Sequence, residues 1–119
     1  MSIVAEYPKQ VNQTLNRVLS QLIKGGFQGE TLLEFMEENE DALKLAAVMG
    51  DYMEVYDLAL NQLLGHGTLD VFKKYPEFCD DAARAGVSLE RLAYHYKMGD
   101  LADQEATWRA GVPIEDVLA

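Results

Sequence analysis

The nine glycines of this chain fall as punctuation, at Gly25-Gly26, Gly29, Gly50, Gly65-His66-Gly67, Gly86, Gly99 and Gly111. Between them lie short segments whose apolar residues recur at steps of three and four, with few β-branched or alternating runs to suggest strands. A glycine just past such a segment takes the left-handed backbone that ends a helix. The pattern predicts an all-α fold: a compact single domain over residues 1–119, built as a bundle of about six to eight short helices in helix–turn–helix pairs. At 119 residues the chain is long enough for one core and too short for two.

The first helix is predicted from about Pro8 to Lys24. Val11, Leu15, Val18, Leu19 and Leu22 form its buried face, with Asn12, Gln13, Asn16, Arg17 and Gln21 opposite. Pro8 suits a first helical turn. From Glu30, LLEFMEENEDALKLAAVM reads as one helix or as two joined around Asn39. Gly50 stops it, and Asp51 is placed to cap the next. There Met53, Tyr56, Leu60, Leu63 and Leu64 share a face flanked by Val55 and Leu58, broad enough to set this helix at the centre. Thr68 can cap a short helix with Leu69 and Phe72, which Tyr75-Pro76 interrupts. Pro76 then starts a helix through Phe78, Ala82 and Ala83. Ser88 caps another carrying Leu89, Leu92, Ala93 and Tyr96. Asp100 caps one through Leu101 and Trp108, and Pro113 opens a last turn with Ile114, Val117 and Leu118.

Two phrases recur. RAGVSLERLA (84–93) returns as RAGVPIEDVL (109–118), and Met-Gly-Asp occurs at 49–51 and 98–100. Each reads as a glycine stop followed by a helix start, which suggests paired short helices with at most a degenerate helical-repeat character, since two copies fall short of the three regular units an array needs.

The segment AARAGVSLERLAYHYKMGDL, Ala82–Leu101, resembles the helix–turn–helix of bacterial repressors of the tetracycline-repressor type. The shared elements are the small residues before the turn, Gly86-Val87-Ser88, Leu92 and the run Tyr94-His95-Tyr96-Lys97. The likeness covers twenty of the 119 residues and lies near the C-terminus, where those repressors carry the motif near the N-terminus. It implies a helix from Ser88 to Lys97 in a major groove, with Ser88, Arg91, Tyr94, His95 and Lys97 facing DNA. ALKLAAVMGDYMEVYDLAL, Ala42–Leu60, resembles an ankyrin repeat, and Leu92–Val112 does so more faintly. Both lack that family's Thr-Pro-Leu-His opening. This second likeness implies paired short helices with an interaction role.

Net charge is −10. Residues 1–72 carry a balance of −7, residues 73–97 one of +1 and residues 98–119 one of −4. Such a chain opposes non-specific contact with nucleic acid or anionic membrane and favours a basic partner. Glu34, Glu37, Glu38 and Asp41 recur at helical spacing and form an acidic ridge suited to hold that partner. Tyr94 and Tyr96 fall on opposite sides of one helix, so one is expected exposed as an interface anchor, and Tyr94 joins the partner-binding set. Self-association through Tyr94 or Trp108, giving a homo-oligomer, is a further reading.

Chemistry-bearing motifs are sparse. No apolar run reaches the roughly 18 residues that span a membrane, and MSIVAEYPKQ does not read as a signal peptide. The lone Cys79 suits a reducing cytoplasm and is expected as a packed core thiol. His66 is expected in an exposed loop and His95 on a helix surface. They and Cys79 show no zinc spacing. There is no calcium loop, no Glu-x-x-His and no Gly-rich phosphate loop, so neither metal nor cofactor is expected. Asn12-Gln13-Thr14 spells a glycosylation acceptor that a cytoplasmic chain would not use. The sequence thus points to a non-catalytic acidic interaction module. It would be an inhibitor or adaptor on a basic protein surface, of phage or other mobile-element origin. The alternative is a DNA-binding regulator using residues 82–101.

Overall fold

The apolar residues that recur along the first segment form the inward stripe of a long first helix. The computed structural model describes residues 10–67 and 69–119. Its helices are α1 (Gln10–Lys24), α2 (Gly29–Glu38), α3 (Glu40–Met49), α4 (Tyr52–Leu63), α5 (Asp70–Lys74), α6 (Pro76–Arg84), α7 (Leu89–Met98), α8 (Leu101–Arg109) and α9 (Ile114–Val117). No strand occurs among the described residues. The all-α expectation holds. The expected start at Pro8 and the Thr68 cap lie outside the described residues.

On α1, Val11, Val18 and Leu22 are buried, and Leu15 and Leu19 pack against the core from its edge. The run after Glu30 is two helices. Asn39, with φ −112° and ψ 13°, breaks it, and its Nδ2 donates to the Phe35 carbonyl at 2.8 Å. A side chain that bonds the backbone of the preceding turn competes with helix continuation. Pro76 and Ser88 begin helices as expected. Pro76 occupies the first turn of α6, and Ser88 Oγ accepts from the Arg91 amide at 3.1 Å.

The repeated RAGV phrase closes two helices in the same way. The Val87 amide donates to the Ala82 carbonyl at 2.9 Å, and the Val112 amide donates to the Thr107 carbonyl at 3.4 Å. Each is the six-residue closure that satisfies a last-turn carbonyl, and Gly86 supplies the positive φ of +80° that it needs. Leu89, Leu92 and Ile114 then turn inward, and Val117 packs at the core's edge.

The centre of the molecule is α3, not α4. Ala42, Leu43, Leu45, Ala46 and Met49 are all buried, and α3 packs against α1, α4, α5 and α6. Ala42 and Ala46 are small enough to let neighbours approach from several sides. On α4 the buried residues are Val55 and Ala59, while Met53 and Leu64 of the expected core face are exposed. The C-terminal helices close the structure: α8 packs on α7, and α9 on α6 and α8. One connected core runs from Val18 to Leu118, with Phe78, Leu22, Leu43, Leu45, Leu69 and Leu92 fully enclosed. Burial of each such side chain contributes about 1.5–3 kcal/mol. The radius of gyration is 14.1 Å, close to the roughly 13.5 Å of a compact chain of this length.

Candidate interaction surface

Glu34, Glu37 and Glu38 stand exposed on α2, and Asp41 stands exposed on α3. The break at Asn39 divides the expected ridge, so Asp41 belongs to a different helix from the three glutamates. Glu37 and Glu38 lie in the last turn of α2, a turn that contains no basic residue. The negative end of the helix dipole disfavours acids there by about 0.3–1 kcal/mol each. Glu40 and Asp41 lie in the first turn of α3, where the dipole favours them. Glu40 also holds Lys44 at 3.0 Å. Against this joint lies an open trough of about 550 Å³ between α1 and the α2–α3 pair. Leu15, Leu33 and Met36 line it together with Glu37, Glu40, Lys44 and two asparagines, Asn12 and Asn16. Leu33 is 60% exposed.

On α7, Leu89, Leu92 and His95 face inward, while Ser88, Glu90, Arg91, Tyr94, Tyr96 and Lys97 are exposed. Both tyrosines therefore reach solvent, at 52% for Tyr94 and 40% for Tyr96. His95 takes the inward place expected for Tyr96 and is not the surface residue expected of it. Only 6% of it is exposed. The reason is a set of polar partners brought by the next helix. Gln104 Nε2 lies 2.8 Å from His95 Nδ1, and Asp100 Oδ1 approaches the same nitrogen at 3.4 Å. His95 Nε2, Asp100 Oδ1 and Gln104 Oε1 are buried without hydrogen bonds of their own. Of the five residues assigned to DNA contact, His95 is thus turned away and Ser88 Oγ is engaged as a cap. Arg91, Tyr94 and Lys97 remain presented outward.

The other reactive residue types are held in structural roles. Cys79 is fully buried, its thiol pushed up to about 12 by burial, and Sγ donates to the Val71 carbonyl at 3.8 Å. The thiolate, not the thiol, is the nucleophile. His66 is exposed in its glycine loop. Trp108, weighed as an interface anchor, is committed inward. Its indole donates to Asp81 Oδ2 at 2.7 Å and meets Phe78 edge to face, with ring centres 5.5 Å apart. Glu105 is buried against α8's own Arg109, whose Nε donates to it at 3.0 Å. That hydrogen bond and charge raise the guanidinium above its ordinary range. Among the described residues no group of three His, Cys, Asp or Glu side chains is placed to hold a metal ion. No helix there is long and apolar enough to cross a membrane.

The exposure of Glu34, Glu37, Glu38 and Asp41 follows from a helical pattern with charges opposite the apolar stripe. The inward turn of His95 has a weaker signal, its spacing of three from Leu92 and six from Leu89. No protein family, curated protein or solved structure gives a significant match to this chain. The likenesses of Ala82–Leu101 and Ala42–Leu60 therefore rest on their local residues alone.

Proposed function

We propose that the protein is a non-catalytic interaction module that holds a basic protein surface against its α1–α2–α3 face, as an inhibitor or adaptor. The observation that carries this reading is the placement of Glu37 and Glu38. They stand exposed at the end of α2 where its own dipole disfavours them, and Glu37 lines a trough that also holds Leu15, Leu33 and Met36. Charge kept where it lowers stability is charge available to a partner. Glu34 and Asp41 add exposed negative charge on α2 and α3. Apolar side chains set among polar and charged ones are the usual composition of a protein interface. Rim charges act mainly on encounter rate and salt dependence.

The test is affinity capture from host lysate, with nuclease, using the native chain and a Glu34→Gln/Glu37→Gln/Glu38→Gln/Asp41→Asn variant as parallel baits. Circular dichroism must first show both folded. The expected result is a basic protein retained by the native chain, released by moderate salt and lost from the neutralised bait. Equal retention by both baits would remove the acidic face from the function.

The alternative is DNA binding through α7, favoured by the joint exposure of Arg91, Tyr94 and Lys97. Glu90 stands exposed among them, and an acidic chain loses the phosphate attraction that dominates such affinity. A low-salt electrophoretic shift that Arg91→Ala and Lys97→Ala abolish would establish this reading, and no shift would end it.

A further inference from the structure

The geometry points to a second docking surface, a groove between α4 and α7 floored by α5, whose occupant is an amphipathic helix with basic flanks from a partner protein. The two walls flank the groove without packing closely along their length. At its deeper end Leu58, Phe72, Leu89, Leu92 and Tyr96 enclose about 170 Å³. A cavity of about 150 Å³ accepts a benzene ring, so this end has room for one large apolar side chain. The groove then opens into a shallower trough of about 400 Å³ that shares Leu58, Leu89 and Ala93 and adds Glu54, Glu90 and Tyr94. A deep pocket leading into a shallow trough along a helix matches a helical ligand with an anchor and further contacts one and two turns on. Along the α4 wall the lining runs from Glu54 to Asn61, about 12 Å, which faces roughly two turns of a helical ligand.

Charge selects the occupant. Among the described residues Glu54, Asp57 and Glu90 line the groove against one cation, Lys97. Glu54 is fixed in place, because its carboxylate accepts from the Asp51 amide at 3.1 Å. A predominantly negative rim around an apolar slot favours lysine or arginine beside the ligand's anchors. It disfavours a second copy of this chain, which carries −10 itself, and it disfavours nucleic acid. Tyr94 and Tyr96, both exposed, supply amphipathic edges of the kind that dominate binding energy at such interfaces. The groove shares no residue with the acidic face on α1–α3, so either surface can fail without the other. Occupied together, the two would make the protein a bridge between partners, which favours an adaptor over an inhibitor.

The test uses three designed helical peptides of about fourteen residues, all with the same phenylalanine and leucine anchors. Their flanks are basic, neutral or acidic. Binding is followed by fluorescence anisotropy, and the site by amide chemical shifts. The expected order is basic over neutral over acidic, with shifts confined to α4, α5 and α7. Ala93→Trp, which fills the groove, should weaken the basic peptide by at least about tenfold, and Lys97→Glu should tighten it several-fold. The Glu34→Gln/Glu37→Gln/Glu38→Gln/Asp41→Asn chain should bind the peptide as the native one does, which separates this site from the acidic face. Lys97→Glu reads the site even where Ala93→Trp unfolds the chain. The proposal is overturned by equal affinity for all three peptides, by no binding, or by shifts that map elsewhere. A dimer in sedimentation that Ala93→Trp abolishes would also overturn it, by giving the groove to a second copy.

Discussion

Met49-Gly50-Asp51 and Met98-Gly99-Asp100 spell the same tripeptide between the end of one helix and the start of the next. Their surroundings differ at every position. Met49 is buried and Met98 is 63% exposed. Gly50 has extended backbone, and a Cβ there would sit 2.8 Å from Leu89 Cδ2 and 2.9 Å from Leu89 Cβ. Gly99 has φ +77° and open space around it. One glycine is required because another helix comes too close for a side chain, the other because its backbone is left-handed. Asp51 closes a reciprocal cap, accepting from the Glu54 amide at 2.9 Å while Glu54 accepts from the Asp51 amide. Asp100, expected to cap α8 likewise, makes no such bond. It follows a left-handed residue, lies at φ −107° and ψ 5°, and faces back toward His95. A short phrase can set where a helix ends without setting what surrounds the end.

The largest way to break the parallel is Gly50→Ala. Leu89 Cβ is fixed to its backbone, so α7 itself must back away from the α3–α4 joint, at about 1–3 kcal/mol. Denaturant unfolding should show that loss, and Leu89→Ala should relieve part of it in a double-mutant cycle, with no such coupling to Gly99→Ala. Gly99→Ala forces a side chain into left-handed backbone and should cost about 1–2 kcal/mol. Asparagine should tell the sites apart. It tolerates that backbone, so Gly99→Asn should be milder than Gly99→Ala, whereas Gly50→Asn should be worse than Gly50→Ala. The reverse ranking would mean that the two glycines are kept for one reason. Asp51→Ala removes a cap and should lower stability by about 1 kcal/mol. The smallest effect belongs to Asp100→Ala, within about 0.5 kcal/mol, because its carboxylate caps nothing and its 3.4 Å approach to His95 leaves Oδ1 without a hydrogen bond, while Gln104 still holds the ring. Thermal melts of this last pair side by side are the finest test of the difference.

What could be read from the chain was the local part. The α1 stripe, the stops after α6 and α8, the Pro76 start and the caps at Asp51 and Ser88 each follow from residues within a turn of the feature. The split at Asn39 was legible as a place but not as a choice, because it depends on a side chain bonding the Phe35 carbonyl in preference to solvent. What stayed hidden was tertiary. Large apolar residues favour α4 as the centre, yet α3 takes that place because Ala42 and Ala46 admit close neighbours. His95 points inward because Gln104 and Asp100 meet it there, and Trp108 does so because Asp81, 27 positions earlier, accepts its indole proton. The exposed acids of α2 and α3 were visible as charges. The α4–α7 groove was not, since its second wall, α7, is separated in the chain from α4 and α5 by α6.

The Trp108–Asp81 contact has a practical consequence. It is the only tryptophan of the sequence, and it is bonded across the seam between α8 and α6. Ultraviolet emission from this protein is therefore a local gauge of whether its C-terminal helices are seated, while far-ultraviolet ellipticity sums over every turn. A fluorescence melt that runs ahead of the ellipticity melt would show α8 and α9 peeling away before the α3-centred body gives way, and coincident curves would show the whole chain letting go at once.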